Sequence, residues 1–415
     1  MRDVAQWGLY KSFIQRELKE AIPNYREGYS SLELDAGFFR PDSILARDFS
    51  VLFAAMQFND TKQEKVFRWL DLMAGCGIRA LRWGLDAVLP ISEQKRGLKN
   101  LEIWINDADL DRSNLIQRNL QPLSKKGIKL TFKNDFAEVL LARAYIDKCF
   151  FNLIDLDCFG SPNSLLQPVL RVLAFDGILM LSSTDGRSTT GHDRLAALRS
   201  LAAAARTHPA SWEIALRLQL AAVARQAWLL GRGVEPLACF SDGRTFRVFV
   251  RFKRHLFHGE ENQLGLIARC EICGEQSSQP LLNLKGWKDC SCGIGLARWE
   301  ISGPLWLGPL QSPPTLSKIQ ELSNRFSVPI VGRSEKLIDR LRADEGIPVF
   351  SWSTHDIASR VPLEAPPSLD LMIKLLNAEG YLAFRSGVVP GHFRTNASLG
   401  ELLRICEKKL VKGFK

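Results

Sequence analysis

The sequence predicts an α/β protein whose main sheet is mostly parallel and covered by helices on both faces. Between Phe67 and Phe252, short apolar runs alternate with helical patterns, and near-continuous apolar runs are typical of strands buried on both faces. This alternation argues for a parallel sheet. The predicted strands are Arg68–Met73, Leu101–Asn106, Ile128–Phe132, Phe151–Leu156 and Ile178–Ser183. The predicted helices between them are Ala80–Leu89, Ala108–Leu120 and Pro162–Leu173.

An antiparallel hairpin is predicted at the end of this sheet. Its strands are Leu237–Ser241 and Thr245–Phe252, and the intervening Ser241-Asp242-Gly243-Arg244 has the composition of a tight turn. The sheet is therefore expected to be parallel up to its last two strands.

A shift in composition divides the chain of 415 residues into two predicted domains, residues 1–255 and 256–415. Residues 255–310 are rich in Gly, Cys and Trp, and Gln311-Ser312-Pro313-Pro314 is predicted to be a linker or turn. Helix and strand patterns then return from Thr315, so the second domain is expected to be a smaller α+β domain.

The composition is that of a globular protein with a basic surface. Apolar residues make up 46% and charged residues 24% of the chain, which excludes a disordered protein. The net charge of +10 suits a polyanion such as a nucleic acid, although a solvated basic surface would give the same balance.

The sequence also indicates the cellular compartment. The chain has no run of 18 or more uncharged residues, so we expect no membrane span. No obligate protein partner is evident from the sequence. Nine cysteines, an odd number, are scattered along the chain, which argues against a disulfide framework. A reducing, cytoplasmic location is expected.

A glycine-containing loop follows the first predicted strand, in the segment Asp71-Leu72-Met73-Ala74-Gly75-Cys76-Gly77. Glycines at this point let the backbone turn tightly into a helix and approach a ligand. The loop differs from the G-x-G-x-x-G pattern of dinucleotide enzymes, whose third position is Ala80 here. Taken alone, the segment could equally be a tight turn without a ligand.

Two further acids favour the interpretation that this loop binds a ligand. Asp107 follows the second predicted strand, where a carboxylate can bind the ribose hydroxyls of an adenosine group, and Asp135 follows the third. Because the carboxyl ends of parallel strands meet at one edge of the sheet, Asp71, Asp107 and Asp135 are expected to line one crevice.

The end of the fourth predicted strand carries a candidate catalytic segment, Asp155-Leu156-Asp157-Cys158-Phe159-Gly160-Ser161-Pro162. The lone pair of a base amine is delocalised into the ring, so the amine is a poor nucleophile. A fixed carboxylate such as Asp157 can accept a hydrogen bond from it, hold it in line and remove a proton. An aromatic ring such as Phe159 can stack on an unpaired base.

Several motifs resemble those of the tRNA guanine-26 N2-dimethyltransferase family. Asp155–Pro162 resembles the family's Asp-Leu-Asp-Pro-Phe-Gly-Ser-Pro segment, and Cys76–Arg82 resembles its Ser-Gly-Ile-Arg-Ala-Leu-Arg loop. Further similarities are the block from Phe39-Arg40-Pro41 to Arg47-Asp48-Phe49-Ser50-Val51, Thr184-Asp185, Gly303–Pro309 and Gly380-Tyr381. The resemblance extends in the same order from about Glu27 to the end of the chain.

This resemblance implies a class I S-adenosylmethionine-dependent methyltransferase with a Rossmann-like sheet, acting on the exocyclic N2 of a guanine in tRNA. It implies that Asp157 is the catalytic carboxylate and that Phe159 helps to hold the guanine. The implied cofactor residues, together with those of the glycine loop, are Arg47, Asp71, Gly75, Gly77, Arg79, Asp107, Asp135 and Phe136.

Some of these residues have simpler interpretations. Without the family, Arg47 and Arg79 would be assigned to surface ion pairs, and Phe159 to core packing. Cys158 stands where the family has Pro, and we expect it to be a small apolar filler and not a nucleophile.

Four cysteines form a predicted metal site. Cys270-x-x-Cys273 and Cys290-x-Cys292 are separated by sixteen residues, and two close thiol pairs at this separation suit a tetrahedral, structural Zn²⁺ site within residues 265–310. Four thiols without a metal are the alternative, since the second pair has one intervening residue where two are usual.

The resemblance implies that the C-terminal region binds tRNA. The alternative is that its basic residues form a solvated surface. Its basic residues are Arg385, His392, Arg394, Lys408, Lys409, Lys412 and Lys415. Two other functions remain open from the residues: methylation of a base amine in rRNA or DNA, and RNA binding by a protein whose cofactor pocket has decayed.

Overall fold

The structure is a computed structural model that describes residues 24–34, 39–61, 66–95, 97, 100–290, 292–293, 298–363 and 365–411. The predicted basic residues Lys412 and Lys415 lie outside this part of the chain. The chain forms two compact units, Met1–Leu156 with Ile319–Ser334 and Asp157–Lys318 with Glu335–Lys415.

The strands follow one another along the chain as β1 Tyr25–Glu27, β2 Ser30–Leu32, β3 Phe67–Asp71, β4 Leu101–Asn106, β5 Lys129–Lys133, β6 Phe151–Asp157, β7 Leu173–Ser183, β8 Gly233–Ser241, β9 Phe246–Lys253, β10 Leu264–Cys270, β11 Gln276–Pro280, β12 Trp299–Trp306, β13 Ser351–Ser353, β14 Ala383–Arg385 and β15 His392–Thr395. The helices are α1 Ile44–Asp60, α2 Ile78–Arg82, α3 Leu89–Lys95, α4 Ser113–Lys125, α5 Ala137–Ile146, α6 Leu166–Val172, α7 Gly186–Thr189, α8 Arg194–Leu201, α9 Ser211–Trp228, α10 Pro313–Phe326, α11 Gly332–Arg342, α12 Thr354–Ala358, α13 Leu369–Ala378 and α14 Leu399–Cys406. A π-helical stretch, Trp83–Val88, joins α2 to α3.

The main sheet has seven strands in the order β5-β4-β3-β6-β7-β9-β8. β3 pairs in parallel with β4 and β6, and β4 pairs in parallel with β5. β9 pairs antiparallel with β7 and with β8. The predicted parallel sheet with an antiparallel C-terminal hairpin is therefore confirmed. The strand order reverses between β3 and β6, and ligands of such sheets bind beyond the carboxyl ends of the strands at this point.

Aromatic side chains form much of the core of the first unit. The rings of Trp69 on β3 and Trp83 meet edge to face with centroids 5.9 Å apart, and both side chains are fully buried. Phe49, Phe53 and Phe58 of α1 are buried as well. Edge-to-face aromatic pairs stabilise a core beyond the burial of apolar area alone, so these rings help to fix β3 against the π-helical stretch that carries Trp83.

The second unit contains two three-stranded antiparallel sheets in addition to its part of the main sheet. Their strand orders are β11-β10-β12 and β13-β15-β14. The second of these sheets packs Trp352 and Phe393 into a cluster with Met372, Leu376 and Leu402 of α13 and α14. Helix α13 begins directly after the N-cap Ser368, whose side chain accepts a hydrogen bond from the Leu371 N–H.

The predicted turn at residues 311–314 is wrong in part. Helix α10 begins at Pro313, since proline lacks only an N–H that the first turn of a helix does not need. Gln311 is buried, and its side chain exchanges hydrogen bonds of 3.0 and 2.7 Å with the backbone N–H and C=O of Cys239 on β8. This segment is packed against a sheet edge and is not a linker.

A buried ionic network in the second unit changes the interpretation of Arg394. Its guanidinium is fully buried and donates to both carboxylate oxygens of Glu213 at 2.8 Å and to Asp344 at 2.6 Å. Arg217, also fully buried, donates to Glu213 at 2.8 Å. Arg394 was predicted to be part of a basic face, but it is internal, and His392 is only 8% exposed. Neither residue is available to an RNA.

Within the described part of the chain, no helix is long and apolar enough to cross a membrane.

Candidate active site

The glycine loop links β3 to α2 by a sharp turn. Gly75 and Gly77 have φ angles of +61° and +82°, which residues with a side chain adopt only at a cost. Two hydrogen bonds of 2.8 Å fix the loop, one from the Ala74 N–H to the Asn106 carbonyl and one from the Gly77 N–H to the Ala74 carbonyl. A side chain built at Gly75 would meet no atom within 4 Å. The loop therefore borders open space at the carboxyl end of β3.

Asn106 ties the ends of three strands together. Its side chain donates hydrogen bonds of 3.0 Å to the carbonyls of Leu72 and Asp135 and accepts one of 3.0 Å from the Asp135 N–H. Leu72 follows β3, Asn106 ends β4, and Asp135 follows β5. The structure thus brings Asp71, Asp107 and Asp135 to one edge of the sheet, as predicted.

Asp107 is the carboxylate that contacts the glycine loop. One of its oxygens accepts a hydrogen bond of 2.7 Å from the Gly75 N–H, and the other accepts one of 3.0 Å from the Asp109 N–H. Each carboxylate oxygen can accept a second hydrogen bond, so this half-buried group can bind hydroxyls as well as fix the loop. Asp71 is buried more deeply and accepts from the Ala80 N–H at 3.4 Å.

Asp135 and Phe136 stand together at the start of α5. Asp135 pairs with Arg143 at 2.7 Å, and the side chain of Phe136 is 71% exposed. Single exposed apolar side chains are common on protein surfaces, so this exposure shows that the ring is accessible to a ligand. A flat adenine ring is the kind of ligand that such a side chain can stack on.

Arg79 forms an ion pair, but a buried one. Its Nη1 lies 3.2 Å from Oδ2 of Asp155 on β6, and both side chains are almost wholly inaccessible. Ser50 of α1 lies 3.3 Å from the same Asp155 oxygen and accepts a hydrogen bond from Trp83. The alternative of a surface ion pair is therefore wrong for Arg79, which instead pairs inside the protein with Asp155, a partner that the sequence did not indicate.

Arg47 is likewise buried, on α1. It donates to Glu27 of the β1–β2 hairpin at 2.6 to 3.1 Å and to the carbonyls of Arg40 and Pro41 at 2.9 Å. Burial raises the pKa of Glu27, but the hydrogen bond and charge of Arg47, with the charge of Arg82, bring it below its ordinary value of 4.5. Arg47 thus anchors the segment that precedes α1.

A second arginine joins the same network. Arg82 is fully buried and lies 2.7 Å from both Glu27 and Asp48 and 2.5 Å from Asp86. Asp48 also accepts a hydrogen bond of 2.6 Å from Ser334. Sequence reasoning missed this network, although a charged pair such as Arg47-Asp48 inside a buried helix was a signal that could have indicated it.

The second unit carries the candidate catalytic carboxylate, Asp157, at the end of β6. Its Oδ2 lies 3.3 Å from Nη2 of Arg247 on β9, and the two side chains are 30% and 5% exposed. Hydrogen bonds hold the following loop: Gly160 N–H donates to the Thr184 hydroxyl at 2.6 Å, and Thr184 N–H donates to the Gly160 carbonyl at 3.0 Å. The Thr184-Asp185 motif of the sequence therefore supports the catalytic segment.

The two residues after Asp157 have opposite environments. Phe159 is 75% exposed, so core packing does not explain it. Cys158 is buried, and burial raises the pKa of its thiol to about 11. A neutral buried thiol is a poor nucleophile, which agrees with the predicted role of Cys158 as a small apolar filler.

The four clustered cysteines converge as predicted. The sulfurs of Cys270, Cys273, Cys290 and Cys292 all lie within 4.8 Å of one another. Four thiolates about 2.3 Å from a tetrahedral ion stand about 3.8 Å apart. The Gly274 N–H donates to the Cys270 carbonyl at 3.0 Å, and the Glu275 N–H points to the Cys273 sulfur at 3.4 Å. This is a knuckle turn that can hold a metal ion.

Strand direction distinguishes two classes of enzyme that share this architecture. Dinucleotide-binding enzymes of the Rossmann type have a parallel sheet, whereas β9 here runs antiparallel to both of its neighbours, β7 and β8. The sheet, the glycine loop and the acids at its crevice place this protein among the class I S-adenosylmethionine-dependent methyltransferases.

Comparison with known proteins defines the family. The family model for N2,N2-dimethylguanosine tRNA methyltransferase matches residues 29–407. The chain belongs to this family. It is 28% identical over 379 residues to the tRNA (guanine(26)-N(2))-dimethyltransferase of Pyrococcus abyssi, an alignment that covers 87% of this chain and 90% of the relative. The enzyme of the same name from Pyrococcus furiosus is 29% identical over 388 residues, covering 89% and 92%.

A solved structure agrees with this relationship. Trm1 from Pyrococcus horikoshii in complex with S-adenosyl-L-methionine has a TM-score of 0.75 and 25% identity, and the match covers 92% of this chain and 99% of that one. The resemblance, the fold class and the enzyme class expected from the sequence are confirmed. The roles of the individual site residues stay predictions.

Proposed function

We propose that this protein transfers methyl groups from S-adenosylmethionine to the exocyclic N2 of a guanine in tRNA, with guanine 26 as the expected position. The observation that carries the proposal is the catalytic segment: a partly exposed carboxylate, Asp157, followed two residues later by an exposed ring, Phe159, in a chain of this family. Such a pair suits an amine on a base that has left its stack.

The first unit would bind the cofactor. The residues fit it, because Asp107 presents a carboxylate at the end of β4 where a ribose would lie, and Phe136 offers an exposed ring for the adenine. Gly75 and Gly77 keep the loop clear of side chains. Arg47 and Arg79 would act through their buried ion pairs, which fix the loop, β6 and the segment before α1.

S-adenosylmethionine supplies an electrophilic methyl group on a sulfonium. Guanine N2 forms a bond to the methyl carbon while the carbon–sulfur bond breaks. Asp157 would accept a hydrogen bond from an N2 hydrogen, align the nitrogen lone pair, and receive the proton that N2 loses. Phe159 would stack on the guanine and exclude water, which strengthens the hydrogen bond to Asp157. A second round would give the dimethylated base.

Methyl transfer by the wild-type protein is the direct test. Purified protein, methyl-labelled S-adenosylmethionine and tRNA that lacks the modification should yield labelled N2-methylguanosine or N2,N2-dimethylguanosine on nucleoside analysis. Label in a tRNA whose guanine 26 is replaced by adenine would reject that position. Label in rRNA or DNA alone would reject tRNA as the substrate, and cofactor binding without any transfer would favour an RNA-binding protein.

We further propose that the four clustered cysteines bind a structural Zn²⁺ ion. Four thiolates leave no open coordination position for chemistry, and a closed site of this kind stabilises a small sheet such as β10–β12. All nine cysteines are free thiols in the structure, which supports a cytoplasmic setting where zinc-binding thiols stay reduced.

Loss of this metal is expected to destabilise the protein without changing the chemistry of transfer. We expect about one zinc per chain, and the Cys270→Ser substitution or a strong chelator should lower the melting temperature by roughly 5 °C or more. Cys149→Ser is the control, because this half-buried thiol lies outside the cluster. Full stability of metal-free protein would contradict the proposal.

We propose that residues 256–415 bind the tRNA. Arg385 and Lys409 are exposed, with side chains 53% and 42% accessible, so they remain candidates for phosphate contacts. The Arg385–Asp370 pair is exposed on both sides, so a phosphate can replace Asp370 at little cost, whereas Glu379, the partner of Lys409, is only 22% exposed.

A further inference from the structure

Arg247 occupies a position where an apolar residue would be expected. It is the second residue of β9, paired with Ser182 of β7 and with Phe240 of β8. Its neighbours Phe246 and Val248 are buried, and Arg247 itself is only 4% exposed. Burial of a guanidinium is costly unless a carboxylate compensates it, and Asp157 lies 3.3 Å away.

Asp157 and Asp155 lie on the same face of β6, because residues two apart in a strand point to the same side. A buried arginine lies beside each of them: Arg79 is 3.2 Å from Asp155, and Arg247 is 3.3 Å from Asp157. The two arginines come from different elements, α2 and β9.

A cation beside the catalytic carboxylate is compatible with the chemistry. After transfer, N2 carries the new methyl group, two hydrogens and a positive charge, and an arylammonium of this kind loses a proton readily. A weakly basic carboxylate is sufficient to receive that proton. The demanding requirement is orientation, since the amine must be held in line with the methyl group.

We infer that Arg247 is a positioning residue that holds the carboxylate of Asp157 in one orientation for guanine N2. This inference rests on the proposed function and adds the residue that orients the Asp157 carboxylate. Arg247 acts through Asp157 and touches neither the base nor the cofactor in this role.

A double-mutant cycle tests the inference. Arg247→Met should lower kcat by roughly 10- to 100-fold, the equivalent of one hydrogen bond to a charged group, with the dissociation constant of S-adenosylmethionine unchanged within about twofold. Arg247→Lys should recover part of the loss. In an Asp157→Asn background, Arg247→Met should change the residual rate by no more than about twofold, because the carboxylate through which Arg247 acts is gone.

Arg251→Met is the matched control. Arg251 lies on the same face of β9, four residues from Arg247, and pairs with the more exposed Glu235 at 3.1 Å. This variant should keep wild-type kcat. Equal losses from Arg247→Met in the two backgrounds, or a kcat within about threefold of wild type, would overturn the role of Arg247. If the Met variant does not fold, Arg247→Lys carries the same cycle. Absence of N2 methylation by the wild type would instead reject the proposed function.

Discussion

The Asp157→Asn variant is expected to lose roughly 10²- to 10⁴-fold in kcat while it binds S-adenosylmethionine normally. The amide has nearly the shape of the carboxylate, but it cannot receive the proton that N2 loses. Its NH2 group can also turn toward the base and repel the amine hydrogens. Asp157 lies at the tip of β6, and the predicted cofactor residues are on other elements, so cofactor binding should be unaffected.

Single-turnover transfer of labelled methyl to tRNA, together with calorimetry of cofactor binding, measures both quantities. Asp176→Asn is the control, because Asp176 is an acid of the same unit with a side chain 69% exposed. A variant at Asp157 with kcat near that of wild type would remove Asp157 from the mechanism. A parallel loss of cofactor binding would show that Asp157 acts on the cofactor and not on the base.

The Arg394→Met variant is expected to lose about 3–5 kcal/mol of unfolding free energy. Arg394 neutralises two fully buried carboxylates, Glu213 of α9 and Asp344, which lies just after α11. Removal of the guanidinium leaves both without their main cation, and Arg217 alone remains beside Glu213. Breaking a buried pair costs far more than breaking one on the surface.

Arg385→Met provides the comparison for this prediction. Arg385 lies on β14, next to the strand of Arg394, and pairs with Asp370 at 2.6 Å, but both side chains are more than half exposed. Loss of this ion pair should lower the free energy of unfolding by at most about 1 kcal/mol. Urea unfolding of both variants measures the difference, and equal stabilities would mean that the buried network contributes nothing beyond a surface pair.

The same network makes stability depend on acid pH. Burial raises the pKa of Glu213, but the charges of Arg394 and Arg217 lower it by more, so the pKa lies below its ordinary value of 4.5. A lowered pKa gives stability that is present above pH 4.5 and is lost as the pH falls through the folded-state value. The melting temperature of wild type should therefore fall more steeply below pH 4.5 than that of Glu213→Gln.

The sequence by itself determined the class of fold and most of the crevice. Continuous apolar runs located β3, β4 and β5, and an acid ends or closely follows each strand: Asp71 is the last residue of β3, Asp107 follows β4 directly, and Asp135 lies two residues after β5. The parallel pairing of these strands brings Asp71, Asp107 and Asp135 to one edge of the sheet. The spacing of Cys270, Cys273, Cys290 and Cys292 likewise predicted four sulfurs that meet.

Only the tertiary structure decided which charges pair. Arg247 appeared in the sequence as one residue of an alternating strand, yet its partner Asp157 is 90 residues away. Arg394 appeared as part of a basic tail, yet it is buried against Glu213, 181 residues away. Periodicity reports how one element is buried, whereas an ion pair between distant elements depends on their packing and register. A buried charge is stable only where that register supplies its partner.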